Sequence, residues 1–407
     1  MLMQRPEYRK MSETIAEETT RKWITFHAVG NDDKADKIKV IEDELIKYKV
    51  RDLFRRAMEL DGFFGRGQIY IDVNMPDSDI PARTDYDELN TILLRDPAKI
   101  TKGCLRGFTV VEPVWTYPSN YNTTDPLAPD YYKPTAWYVM GKKVHASRLL
   151  MFISREVPDL LKASYNFGGI SLSQLAKPYV DNWIRTRDSV SETIHTFSTS
   201  GIETNMGDVL SGASAEEIYK RAELFNNLRD NRGLLLLDNS AGADSKEKFF
   251  QSNVPLGGLD GLQAQAMEQL PSIAGIPLVK YWGITPSGLN ASSEGEIEVF
   301  DDHMMSKKRN VMAGPLTDVI NIIQLNKFGE IDPDITHDFD PMAEMSEIDR
   351  ATIRKTDAET DAVLINAAVI SADDARERLI NDPDSGYTSL EANEDLGDDE
   401  EEEDGDQ

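Results

Sequence analysis

Only one cysteine, Cys104, stands among the 407 residues, which excludes an intrachain disulfide and a thiolate metal cage. The fold must hold itself by packing. Histidine is scarce too: His27, His145, His195, His303 and His337 stand apart, without HExxH or HxH spacing, so no metal site is expected. Long apolar runs are missing. The longest obvious one is Leu234 to Leu237, far short of the ~18 residues of a membrane span. Residues Met1 to Pro6 carry no apolar core of a signal peptide, so a cytoplasm-like compartment is expected. Positive charge is in short supply, with 44 Lys and Arg against 72 Asp and Glu and a formal charge of −28. Residues 391–407 hold eleven carboxylates and no base, which leaves −17 on the preceding residues, so the body is acidic as well. Tight DNA binding requires cations arrayed against phosphates, and this balance argues against it. It is compatible with a passage through which DNA slides without being held, and equally with plain solubility.

What is present is enough apolar material, 40% of residues, to bury cores in two or three domains. Residues 7 to 60 read as helices, one over Glu13 to Trp23 and one over Lys37 to Leu60. Gln68 to Val73 alternates as a strand. Residues 107 to 155 read as β-rich, with runs at Phe108–Trp115, Thr135–Met140 and Val144–Ile153 around an aromatic, proline-rich excursion. Ser171 to Ser200 has the pattern of a long amphipathic helix whose regular part is expected to start near Pro178. An insert over 201–258 follows, with a strand or turn expected over Ile202–Leu210, strands near Leu234–Leu237 and Lys248–Phe250 and a helix over Ser214–Leu228. Leu259 to Ala274 reads as a helix that Pro271 kinks or ends early. Glu294 to Asn326 reads as another, interrupted at Gly314-Pro315, with acidic residues in its first turns. A strand over Ile335–Phe339 and helices over Ser346–Val369 and Ser371–Leu379 complete the order, the last with Ser371 and Asp374 as a capping pair.

No catalytic constellation emerges. Gly62, Gly65 and Gly67 precede a strand, but their spacing fits neither a Walker loop nor a dinucleotide fingerprint. Tyr117, Tyr121, Tyr131 and Tyr132 near Lys133, Lys142 and Lys143 could offer a stacking platform for single strands, and ordinary strand packing explains them better. Asp301-Asp302-His303 points in several directions around a helix, as a solvated face does. Neither a Gly-x-Ser-x-Gly elbow nor a Cys-His pair is found. No enzyme activity, cofactor or metal is expected.

The densest signal is Gly275 to Glu294, reading GIPLVKYWGITPSGLNASSE, a Gly/Pro/Ser-rich loop between two helical patterns. This run, the entry Ser164–Ser171 (SYNFGGIS) and the closing Val369–Leu379 (VISADDARERL) resemble, in order and spacing, the portal proteins of tailed double-stranded DNA bacteriophages. Two departures stand out: Ser292-Ser293-Glu294-Gly295-Glu296 replaces the family's usual Thr-Gly-Glu continuation, and set beside the family the wing is expected to begin late, at the RPEYRK helix. The resemblance implies an α+β portal fold assembled as a cyclic ring of probably twelve subunits. Residues 1–169 would be the wing, 170–200 the first stem helix, 201–258 the clip, 259–276 the second stem helix and 277–293 the tunnel loop. Residues 294–343 would be the tunnel helix and wing return, 344–390 crown helices, and 391–407 a disordered acidic tail. It also implies a channel for packaging, retention and ejection of double-stranded DNA at one capsid vertex of the virion, assembled in the host cytoplasm. Expected partners are terminase, a head-completion adaptor, and the major capsid and scaffold proteins, with no membrane. Channel candidates are Lys280, Trp282, Thr285, Ser287, Asn290, Ser292, Ser293, Lys307 and Lys308, with Trp282 a packing anchor. Subunit-to-subunit ion pairs are the other reading of the lysines. Clip candidates for partner binding are Arg229, Asp230, Arg232, Asp238, Lys246 and Lys248. Alternatives of other classes are a metal-dependent hydrolase or nuclease, for which no defined carboxylate set is found, and another virion structural protein such as an adaptor or scaffold.

Overall fold

The computed structural model describes residues 2–28, 34–73, 89–195, 198–203, 248–253, 257–284, 294–343 and 347–381, with single positions at 216, 219, 220, 223 and 385. Two units are present, Met1–Met342 and Ala343–Gln407. In chain order the first holds α1 (Pro6–Arg21), β1 (Ile24–Ala28), α2 (Ala35–Lys47), α3 (Val50–Phe64), β2 (Gly67–Val73), β3 (Leu105–Val110), β4 (Thr116–Pro118), β5 (Ala136–Val139), β6 (Lys142–His145) and β7 (Leu149–Phe152). It continues with α4 (Asp159–Lys162), α5 (Leu172–His195), β8 (Ser198–Glu203), β9 (Lys248–Asn253), α6 (Leu259–Ser272), α7 (Leu278–Trp282), α8 (Glu294–Lys307), a π turn (Lys308–Met312), α9 (Ala313–Phe328) and β10 (Ile335–Phe339). The second unit holds α10 (Glu347–Asn366) and α11 (Ala372–Asn381).

Strand β2 is the centre of the main core. It pairs antiparallel with β3 on one side and β7 on the other. Its alternation sends Ile69, Ile71 and Val73 to one face, where Phe54, Ala57 and Met58 of α3 and Leu316, Val319, Ile320 and Ile323 of α9 cover them. Tyr70 turns to the other face and packs with Trp137 and Val144 of the small sheet β4-β5-β6. Fully burying each such side chain contributes roughly 1.5–3 kcal/mol. Phe54 meets Phe152 edge-on at 4.9 Å between ring centroids.

Gly65 ahead of β2 and Gly67 at its first position serve this packing. Gly65 closes α3 with φ 78°, and its N–H bonds the Asp61 carbonyl. A Cβ at Gly67 would lie 1.9 Å from the Ala57 carbonyl oxygen, and one at Gly65 would lie 2.0 Å from that of Gly169. Their spacing lets backbones cross.

Several expectations need correction. The helix expected over Lys37–Leu60 is two helices, because Lys49 adopts φ 52° and the Tyr48 and Lys49 N–H groups close back on Glu44 and Ile46. Helix α5 starts at Leu172 and carries Pro178 inside it, since the Ser171 hydroxyl caps the Gln174 N–H at 3.1 Å and fixes the start earlier. Within the stretch read as one loop, Pro277 starts the single turn α7 and Gly283, at φ 75°, ends it. The interruption of the last long helix falls at the π turn, ahead of Gly314-Pro315. There Ala313 N–H bonds the Lys308 carbonyl, five residues back. Strand β1 had no clear signal in the sequence, and it pairs antiparallel with β10, Ile24 opposite Phe339.

Helices α5 and α6 pack on each other, and beyond them β8 pairs antiparallel with β9, Glu203 opposite Lys248. Positions 216, 219, 220 and 223 are helical, as expected of Ser214–Leu228. Leu234–Leu237 and residues 391–407 lie outside the described residues. In the second unit the capping pair forms: Asp374 N–H bonds Ser371 Oγ at 3.1 Å, and Asp374 Oδ2 accepts from Ser371 N–H at 2.9 Å.

Candidate functional site

Around Ala274–Trp282 several helices meet in a second apolar core. Tyr8, Met11 and Ile15 of α1, Leu172, Ala176, Val180 and Trp183 of α5, Ala266 and Leu270 of α6, and Phe300 and Met304 of α8 converge there with Ile276 and Tyr281. Helix α6 ends at Ser272, just after Pro271, and Gly275 turns the chain with φ 65° against His303. A Cβ at Gly275 would come 3.1 Å from His303 Nδ1. Trp282 then packs 5.9 Å from Trp183, and its indole Nε1 donates to the Met267 carbonyl at 3.2 Å. Tyr281 is buried and donates its hydroxyl to the Glu7 carbonyl at 2.7 Å. Burial pushes that phenol well above its ordinary pKa, with the Glu7 charge adding to the rise. The chain entering the segment is thus clamped to α1, α5 and α6 at once.

The lysines expected near a passage are placed quite differently from one another. Lys280 pairs with Glu18 of α1 at 2.9 Å and lies 5.4 Å over the Phe300 ring, so within the chain its charge already has a partner. Burial alone would raise the Glu18 carboxyl, but hydrogen bonds from Lys280 and Arg21 outweigh it and hold the group below its ordinary pKa. Lys307 is half-buried beside Arg155, and burial first, then the Arg155 charge, pushes its ammonium down to about 8. Asp61, itself buried and bonded to Arg155 at 2.9 Å, opposes that shift. Lys308 is fully buried and donates to the Lys22 carbonyl at 2.6 Å. Burial brings it to about 8 too. Lys308 therefore faces no surface of the chain, because its ammonium closes the junction between α1 and β1. Thr285, Ser287, Asn290, Ser292 and Ser293 lie outside the described residues, as do Arg229, Asp230, Arg232, Asp238 and Lys246. Lys248 opens β9.

Sequence reasoning missed Glu18, Arg155 and Asp61, and weighed His303 only as part of a solvated face. Each reads as an ordinary polar position on its own element, and only the tertiary fold makes them neighbours. Burial, Lys307 and Arg155 together hold the His303 imidazole below its ordinary pKa. Among the described residues no three His, Cys, Asp or Glu side chains are grouped to hold a metal ion, and Cys104 is buried with its thiol raised by burial. The aromatic excursion packs: Tyr117 stacks on Tyr138 at 5.1 Å across β4 and β5, and Tyr121 lies 4.5 Å from Phe167. The junction anchors α7 itself, through Lys280, Tyr281 and Trp282, to α1 and α6. No described helix is long and apolar enough to cross a membrane.

The chain is similar to several known proteins. The chain is 23% identical over 377 residues to the anti-CBASS protein Acb1 of Sphingomonas paeninsulae, covering 90% of this chain and 57% of that protein. It is 21% identical to the protein of the same name from a Caulobacter species, covering 88% and 56%. The chain therefore spans little more than half the length of these relatives. Among solved structures, a chain in the neck of an empty GTA (gene transfer agent) particle computed with C6 symmetry aligns with TM-score 0.49 and 14% identity, over 93% of this chain and 92% of that one. An HK97-family phage portal protein from Corynebacterium diphtheriae aligns with TM-score 0.43 and 10% identity, over 84% and 93%. A family model described as phage portal protein matches residues 1–363, and the chain belongs to that family.

Proposed function

We propose that the chain is the subunit of a ring-shaped portal channel at one capsid vertex, through which double-stranded viral DNA is packaged, retained and ejected. The observation that carries this reading is the family match over residues 1–363. The path of the chain supports it. Helix α5 leads out from the second core to β8, β9 leads back into α6, and the two helices pack together. In this reading α5 and α6 are the two stem helices, 201–258 is the clip that docks terminase and the head-completion adaptor, and residues 1–169 form the wing that meets the capsid. Residues 277–293 are the tunnel loop, 294–343 the tunnel helix and wing return, and 344–390 the crown. The channel is a conduit without catalysis of its own, and the packaging ATPase is a separate protein. The acidic balance of the chain suits a passage that does not hold its polymer.

The name of the Acb1 relatives belongs to proteins of which this chain covers little more than half. The test is a packaging assay with a variant lacking residues 284–291. Rings are expected to assemble while heads stay empty or fail to retain DNA. Loss of ring assembly would make the segment structural, and full packaging would remove it from the passage.

A further inference from the structure

The helix line from Glu294 to Phe328 changes winding once, and it does so at the seam between the two cores. Phe300 and Met304 of α8 belong to the second core, whereas Leu316, Val319 and Ile320 of α9 belong to the sheet core. Between them the π turn inserts one extra residue per hydrogen-bonded ring, with Ala313 N–H bonded to the Lys308 carbonyl. One residue of α-helix corresponds to ~100° of rotation and ~1.5 Å of rise. The extra residue therefore sets the rotational phase of α8 against α9, and exchange of the i→i+5 bonds, such as Ala313 N–H to Lys308 O, for i→i+4 bonds would change it. Gly314 and Pro315 follow at once. Both weaken continuous helix, and Pro315 offers no N–H to the carbonyls one turn back.

Lys308 stands at the first position of this turn. It has no exposed surface, and its ammonium donates to the Lys22 carbonyl at 2.6 Å and, more weakly, to the Asp340 carbonyl at 3.5 Å. Those two carbonyls flank the Ile24–Phe339 end of the β1–β10 pair, where Asp340 N–H also bonds the Trp23 carbonyl. The cation lies 5.7 Å over Phe339 as well. A buried lysine whose described hydrogen bonds all go to main-chain carbonyls is an expensive way to fill space. It ties the helix to two carbonyls outside it, and turning α8 away would leave the ammonium buried without those acceptors. Nearby, Asp301 Oδ1 of α8 is buried without a hydrogen-bond partner among the described residues.

We propose that the π turn Lys308–Met312 is a hinge at which α8 turns about its axis while α9 stays seated in the sheet core, and that the Lys308 ammonium is the latch holding the observed phase. Through Lys308 the device couples the turning of α8 to the β1–β10 pair. The proposal concerns the single chain and does not depend on its assembly into a ring.

The test is amide hydrogen exchange of the full-length chain, read by mass spectrometry on peptides covering 297–307 and 316–325. In Lys308→Met the apolar replacement fills the site and removes only the latch. Exchange is expected to accelerate tenfold or more in 297–307 while 316–325 keeps its protection. Equal or greater protection in 297–307 would overturn the proposal, since replacing a merely structural buried cation by methionine is commonly neutral or stabilising. Deleting Asn310, an exposed residue of the turn, forces regular winding. Protection is expected to fall in 297–307 and to persist in 316–325. A deletion that leaves both segments unchanged, or unprotects both together, would show one rigid rod and would also overturn it.

Discussion

Helices α8 and α9 lie on one helix line, and they are built oppositely. Helix α9 carries one acid and one base in sixteen residues and buries Leu316, Val319, Ile320, Ile322, Ile323 and Leu325. Its buried amides are satisfied by other elements: Asn326 Oδ1 accepts from Leu105 N–H at 2.9 Å and Gln324 Oε1 from Asp332 N–H at 2.8 Å. Helix α8 carries Glu294, Glu296, Glu298, Asp301 and Asp302, and its buried residues are Phe300, Asp301 and Met304. Val299 on α8 is 70% exposed. The difference teaches that α9 belongs to the frame, while α8 is held by a few contacts and is the half suited to move.

The strongest way to sharpen this contrast is to cut each core. Ile323→Ala in α9 should lower global stability by about 2–5 kcal/mol in denaturant unfolding, as cavities in packed cores do. Phe300→Ala should instead release α8 first. Exchange protection over 297–307 should fall further than the global midpoint, and a fully cooperative loss would erase the distinction. Gly67→Ala should come next, because a methyl placed 1.9 Å from the Ala57 carbonyl forces α3 away from β2. A drop of about 1–3 kcal/mol is expected, and no drop would mean that the crossing relaxes.

The pH dependence of the latch gives a further test. Burial depresses Lys308 from its ordinary 10.5 to about 8 in the folded chain. Between those values the unfolded chain binds the extra proton, so this group makes stability rise with pH through the window and contributes no slope below it. Lys308→Met should flatten that rise when unfolding is compared at pH 8 and pH 10. An unchanged slope would contradict the burial of the charge. The smallest effect is expected at Lys280. Breaking its pair with Glu18 by Lys280→Ala should cost about 1 kcal/mol or less, and a double-mutant cycle with Glu18→Gln should account for most of it.

Much of this frame was legible in the residues. Alternation identified β2, periodicity marked both halves of the last long helix, and Ser371 with Asp374 announced the start of α11. Hidden were features defined by a partner far along the chain. Strand β1 gave no clear pattern of its own and pairs with β10 some three hundred residues later. Lys308 looked like surface because a lysine counts as polar wherever it stands. Only the fold brings the Lys22 and Asp340 carbonyls to its ammonium. Arg66 was hidden in the same way: it is buried 4.3 Å over the Trp137 ring and donates to Asn166 O and Thr116 Oγ1. Helix α7 escaped because the turn signals of Pro277 and Gly283 dominate a stretch only five residues long.

The central claim, that these chains close into a channel, is tested most directly by electron microscopy of the purified full-length protein. The account predicts rings of fixed subunit number with an open central hole. A population of compact single chains at every protein concentration examined would contradict it.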